Sequence, residues 1–159
     1  GDAAAGLEQF EKKAALNQYN QYLIERFFRP TARVDIGQAI MDYASSSIDI
    51  SDGLIGDVKK IMSASDVGAL INIEDIPLSK EMLKIYDPKK SQAFALSGGD
   101  DYELLFTASA ENLSKIMDIS KEIDQKITHI GNITENKNLE CRKEGVIHEY
   151  QDEGYLHFK

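Results

Sequence analysis

The stretch Ser47-Ile48-Asp49-Ile50-Ser51-Asp52-Gly53-Leu54 alternates polar and apolar residues as far as Ser51 and then turns. Side chains of a strand repeat every second residue, so Asp49 and Ser51 share one face while Ile48 and Ile50 take the other. Asp52 and Gly53 turn the chain into a helix marked by Leu54, Ile55, Val58, Ile61 and Met62. A strand that runs out at a helix start presents free N–H groups and a partial positive charge, where phosphate can dock. Two carboxylates beside it suit Mg²⁺, a hard ion that takes oxygen ligands and bridges to phosphates. The structural alternative is that Ser51 or Asp52 merely caps the helix and Gly53 permits the turn. A segment this short leaves both readings open.

Working outward, Asp2 is expected to cap a helix running through Ala3-Ala4-Ala5-Gly6-Leu7 towards Lys12. Tyr19, Tyr22, Leu23 and Phe27 have helical spacing, ended by Pro30, and Ile36, Ala39, Ile40 and Tyr43 suggest a further short helix. Residues 69–73 read as a second strand, and Ser79 to Tyr86 as a short helix capped by Ser79 with Glu81 in its first turn. Tyr102 to Thr107 reads as a third strand, Ala110 to Met117 as a helix, and Ile127 to Thr134 as a fourth strand. Short strands around Leu139 and Val146 form a closing hairpin. Strands mix with helices without strict alternation, so the expected class is α+β with a mixed β-sheet, in one domain spanning residues 1–159.

A second candidate segment is Ser97-Gly98-Gly99-Asp100-Asp101-Tyr102-Glu103-Leu104-Leu105-Phe106. Paired glycines allow close approach of a ligand, and three carboxylates follow within four positions. If the strand begins here, Asp101 and Glu103 share one face and Asp100 lies on the other. Two carboxylates about 4 Å apart repel by about 4 kcal/mol at an effective dielectric near 20, so such a cluster wants a cation, a donor or solvent. A turn before a strand with a solvated acidic start fits equally well. A third segment, Gly154-Tyr155-Leu156-His157-Phe158, can stack on a flat ring or simply pin the chain end. Phosphate-binding Gly-x-x-x-x-Gly-Lys and dinucleotide Gly-x-Gly-x-x-Gly loops are missing, as are the protein-kinase signatures and the Gly-x-Ser-x-Gly elbow.

With 159 residues, 42% hydrophobic and 28% charged, the chain fits a soluble globular domain. Its net charge of −9 argues against a general nucleic-acid or anionic-membrane binder, whose affinity comes from Lys and Arg. No apolar run reaches the ~20 residues that span a bilayer. Cys141, the one cysteine, cannot form an internal disulfide or a Cys-rich zinc site and reads as structural, with a cytoplasmic setting as the default. The chain opens at Gly1-Asp2-Ala3 without an initiator Met, so the expectation is a longer protein with an upstream part outside this sequence.

Together, in order, these segments resemble thiamine-monophosphate kinase of the aminoimidazole-ribonucleotide-synthetase-like superfamily. The residues that carry the resemblance are Gly1 to Leu7, Arg29-Pro30 with Arg33-Val34, Asp49 to Leu54, Ile76-Pro77-Leu78-Ser79, Leu96 to Thr107, Ile130 to Thr134, and Gly154-Tyr155 with His157-Phe158. The resemblance implies the C-terminal domain of an enzyme that uses ATP and Mg²⁺ to turn thiamine monophosphate into thiamine diphosphate. It implies Asp49 and Asp52 as Mg²⁺ ligands, Ser51 as an ATP contact, Asp100 as a contact to the thiamine part of the substrate, and Tyr155 packed against its ring. The family usually has Glu where this chain has Asp100, one methylene longer. The family's N-terminal domain, with further Mg²⁺-binding aspartates and the homodimer interface, is expected to lie outside this chain, leaving half an active site. No protein nucleophile or general base is expected. Another ATP-dependent synthetase of the superfamily, or a non-catalytic metal- or protein-binding module, are the alternatives.

Overall fold

The computed structural model describes residues 1–149; Tyr155, with Gly154, His157 and Phe158, lies outside the described residues. Among the described residues the helices are α1 (Asp2–Glu11), α2 (Gln18–Phe28), α3 (Val34–Ile40), α4 (Leu54–Ser65), α5 (Lys80–Ile85), α6 (Pro88–Ser97) and α7 (Leu113–Glu122). The strands are β1 (Ala44–Ile50), β2 (Gly68–Asn72), β3 (Glu103–Ala108), β4 (Gly131–Thr134), β5 (Leu139–Lys143) and β6 (Val146–Glu149). β1 and β3 form an antiparallel pair, and the other four form a sheet in the order β4-β2-β5-β6. In that sheet β2 runs parallel to β5, while β4 and β6 run antiparallel to their neighbours. The expected α+β class with a mixed sheet is what the chain adopts, with a second, two-stranded sheet beside it.

α4 sits at the centre of the molecule. Its apolar face (Leu54, Ile55, Val58, Met62) packs with Ala69 and Ile71 of β2, Leu139 and Cys141 of β5, and Ala95 and Leu96 of α6. Ile50 and Leu105 of the two-stranded sheet close this core from the other side. Opposite residues of an antiparallel pair share a face, and on the reverse face of β3 Leu104 and Phe106 pack against Ile36 and Ile40 of α3 and Ile119 of α7. A third cluster, Ala5, Leu23 and Met82 with Tyr86 and Phe94, joins α1, α2, α5 and α6. Cys141 is buried in the central core with its thiol pKa pushed up by burial, in keeping with a structural role.

Several local expectations change. Asp2 does not cap α1; it is the first helical residue, and its carboxylate accepts a 2.6 Å hydrogen bond from Ser79 Oγ. The cap comes instead from Asp101, 98 positions away, whose Oδ1 accepts the Ala3 N–H at 3.0 Å while Oδ2 takes the Gly1 nitrogen. Ser79 caps α5 as expected, accepting the Met82 N–H at 3.0 Å. Residues 127–130 are not strand; β4 begins only at Gly131, where β2 offers a partner. α6 is a helix that apolar periodicity does not announce, because its buried residues are only Ser91, Ala95 and Leu96. Its start was written in sequence all the same: Asp87 caps it through Lys90 N, and Pro88 opens its first turn. The helix expected from Ala110 opens with a 3-10 turn and runs on to Glu122.

Two predictions follow from how α1 is held. Replacing Asp101 with Ala removes the cap and leaves a buried helix start unsatisfied, so equilibrium urea unfolding should show a loss of about 2 kcal/mol. Glu8 anchors the other end of α1, taking Lys12 Nζ at 2.5 Å, Lys90 Nζ at 2.8 Å and the Tyr86 hydroxyl at 3.1 Å. Burial works to raise its pKa, but the hydrogen bonds from Lys12, Lys90 and Tyr86 outweigh it and hold the carboxyl down at about 2. A depressed carboxyl stabilises the fold above its unfolded value, and this contribution is lost as pH falls from 4.5 towards about 2. The urea midpoint of the parent protein should therefore fall more steeply across that window than that of Glu8→Gln.

Candidate functional site

The burial pattern of β1 alternates along its whole length, leaving Ser45, Ser47 and Asp49 exposed and Ile48 and Ile50 turned inward. Asp49 stands opposite Leu104 near the end of the strand, its carboxylate exposed. Beyond Ile50 the chain leaves the sheet and enters α4 through Ser51, Asp52 and Gly53. Gly53 has φ +93, and a Cβ there would come within 2.9 Å of the Ser97 carbonyl group, so both the turn and the packing demand glycine. Among the described residues no side chain caps α4. Its first N–H groups, at the mouth of this turn, keep the partial positive charge of a helix start.

What holds the turn in place is a residue that sequence reading did not single out. Asp57, in the first turn of α4, is fully buried. Its Oδ2 accepts the backbone N–H groups of both Ser51 and Asp52 at 3.0 Å. Its Oδ1 takes Lys60 Nζ at 2.7 Å, and the same ammonium reaches Asp52 Oδ2 at 2.5 Å. The signal was available: Asp57 falls on the face shared with Leu54, Val58 and Ile61, and a charge on an apolar helix face has to find partners inside. The bond it donates to Asp52, and secondarily the one to Asp57, raises the Lys60 pKa above its ordinary value.

The diglycine segment lies directly against this turn. Asp100 donates its N–H to the Ser51 carbonyl at 2.9 Å, and Tyr102 donates to the Ile50 carbonyl at 2.8 Å. A Cβ on Gly99 would sit 2.5 Å from the Ser51 oxygen, so only glycine allows the crossing. Ser51, Asp52 and Asp100, which sequence reading placed in separate motifs, are thus brought together by backbone contacts.

The three carboxylates that follow the glycines do three different things. The strand does not begin at Asp100; Asp100 and Tyr102 take left-handed φ values of 64° and 50°, so strand alternation starts only at Glu103. Asp101, between them, is buried and spent on capping α1. Glu103 receives a bond from Arg26 (2.8 Å) and a forked pair from Arg33 (2.7 and 2.6 Å), and the bonds from Arg33 raise that guanidinium's pKa. Asp100 alone is left half-buried and uncommitted by any side-chain hydrogen bond to a described residue. A left-handed non-glycine residue is tolerated best when it is Asp or Asn, and such positions gather at functional sites.

Chemically, the turn combines an uncapped helix start with two oxygen donors, Asp49 and Asp52, and a neighbouring Asp100. The donors are carboxylates throughout, the set a hard cation prefers. Among the described residues no group of three or more His, Cys, Asp or Glu side chains is placed to hold a metal by itself. An ion at this turn would complete its shell with oxygens from elsewhere, such as phosphates and water. No helix of the described residues is long and apolar enough to cross a membrane.

Known proteins of similar sequence share the fold. The chain is 36% identical over 161 residues to the thiamine-monophosphate kinase of Salmonella typhimurium, covering 99% of this chain and 50% of that protein. The crystal structure of thiamine-monophosphate kinase from Stenotrophomonas maltophilia K279a superimposes with a TM-score of 0.85 at 31% identity, over 92% of this chain and 48% of that one. AaThiL complexed with AMPPCP and TMP superimposes with a TM-score of 0.82 at 35% identity, over 99% of this chain and 48% of that one. The chain therefore spans about half the length of the curated relatives it matches. Residues 5–144 match the family described as AIR synthase related protein, C-terminal domain, and the chain belongs to that family.

Proposed function

We propose that this chain supplies the C-terminal half of a thiamine-monophosphate kinase, which transfers the γ-phosphoryl group of ATP to thiamine monophosphate to give thiamine diphosphate. One observation carries the reading: the uncapped start of α4 and the Asp49–Asp52 segment lie in backbone contact with the diglycine turn that presents Asp100. Phosphate chemistry and substrate recognition need those two elements side by side. The identity of 36% to the Salmonella enzyme, and the likeness to AaThiL, which was captured with AMPPCP and TMP, support the same assignment.

In this reading the α4 N-terminus and Ser51 face the phosphates of ATP. Asp49 and Asp52 are the residues that would hold Mg²⁺, which when bound offsets charge on the transferring phosphates. Asp100 contacts the thiamine part of the substrate, one methylene shorter than the family's usual Glu. Tyr155 is assigned to packing against the thiamine ring. A phosphate oxygen of thiamine monophosphate attacks the γ-phosphorus in line and ADP departs. That oxygen is already ionised, so no protein nucleophile or general base is required. The upstream half of the enzyme, a further domain with its own Mg²⁺-binding aspartates and the homodimer interface, completes the site in the cytoplasm.

The test is made in the complete enzyme that contains this chain. Asp49 is exposed and takes no part in the core, so Asp49→Asn should leave the melting temperature unchanged. Turnover, followed as thiamine monophosphate-dependent ADP release, should fall on the order of 100-fold. Parent-like kinetics in that variant would remove Asp49 from the site, and ADP release indifferent to thiamine monophosphate would remove the kinase assignment.

A further inference from the structure

We propose that Lys60 is a built-in counterion that stands in for the divalent cation at Asp52 and so sets how tightly that carboxylate takes metal. The inference rests on the assignment of Asp52 to a metal and adds a residue that competes for it. Lys60 Nζ lies 2.5 Å from Asp52 Oδ2 and 2.7 Å from Asp57 Oδ1, placing one positive charge between two carboxylates. The two carboxylates differ in what they can give up. Asp57 is fully buried and keeps both backbone N–H bonds through its other oxygen, so its geometry does not depend on the Asp52 side chain.

The Asp52 side chain is 34% exposed and that of Lys60 46%, so the contact between them is the one at the solvent edge. A divalent ion arriving there meets an ammonium already seated on its ligand. The ammonium can withdraw to Asp57 alone without breaking a backbone contact, because the i,i+3 relation within α4 holds that pair together. Lys60 thereby neutralises the turn when metal is absent and yields Asp52 when metal is present.

Binding of Mn²⁺ as a spin-active probe, measured from the loss of free-ion electron paramagnetic resonance signal, tests this with the chain itself. Lys60→Gln keeps a donor for Asp57 and removes the charge. It should bind Mn²⁺ about tenfold more tightly than the parent, and the gain should vanish in Asp52→Asn/Lys60→Gln. Circular dichroism checks the fold; if Lys60→Gln alone does not fold, Asp57→Asn/Lys60→Gln removes both charges and carries the same expectation. Lys60→Gln binding no tighter than the parent, while Asp52→Asn weakens binding, would overturn the role of Lys60 and leave the metal assignment standing. Asp52→Asn binding like the parent, or no Mn²⁺ uptake by any variant, would overturn the metal assignment of Asp52 and the proposal with it.

Discussion

A carboxylate with no solvent contact, that of Asp57, fixes the geometry on which the rest of the site depends. Two successive backbone N–H groups, those of Ser51 and Asp52, converge on one of its oxygens. Hydrogen bonds to a charged acceptor contribute about 1.5–3 kcal/mol each, roughly twice those between neutral groups. Losing one member of a buried charged set costs about 3–5 kcal/mol because the remainder is left uncompensated. The exit from β1 therefore has one conformation. The strand, the turn and α4 act as one rigid bracket, with Asp49 on the strand and Asp52 at the bend.

The diglycine segment docks onto that bracket through its backbone, not its side chains. The Asp100 and Tyr102 N–H groups pair with the carbonyls of Ser51 and Ile50, and Gly99 admits the close crossing. The acidic residues are then free to differ in employment. Asp101 is consumed by α1, Glu103 by Arg26 and Arg33, and Asp100 alone makes no side-chain hydrogen bond to a described residue. A run of acidic residues that looks like one electrostatic feature is three separate ones. The left-handed backbone at Asp100 and Tyr102 is what separates them.

Much of this was readable in the chain. The alternation of β1, the Gly53 turn, the apolar face of α4 and the Ser79 cap are local patterns, and each is found close to its expected place. The hairpin of β5 and β6 was equally plain. What was not legible is non-local. The capping of α1 by Asp101 cannot be inferred from Asp2 and its neighbours, since a local candidate was present and was used for Ser79 instead. Residues 127–130 have strand-like composition, but the ladder with β2 begins only at Gly131, just after the Ile130 carbonyl accepts the Asn72 N–H. For the site, Asp49, Ser51, Asp52 and Asp100 were visible as residue types in a pattern. Asp57 showed only as a charge on an apolar helix face and Lys60 not at all, because their importance lies in whom they touch.

The tie between α1 and residue 101 bears on how the polypeptide matures. During synthesis the segment that becomes α1 leaves the ribosome before the carboxylate that closes its first turn, which is made 98 residues later. At elongation rates of about 5–20 residues per second, that gap is on the order of 5–20 seconds. Over this interval the helix must survive on its own propensity, or be held by other contacts, because short helices without tertiary support are marginal in water. Capping of α1 is thus completed only when the segment carrying Asp101 has been made, so the first helix and the loop that presents Asp100 reach their final state together.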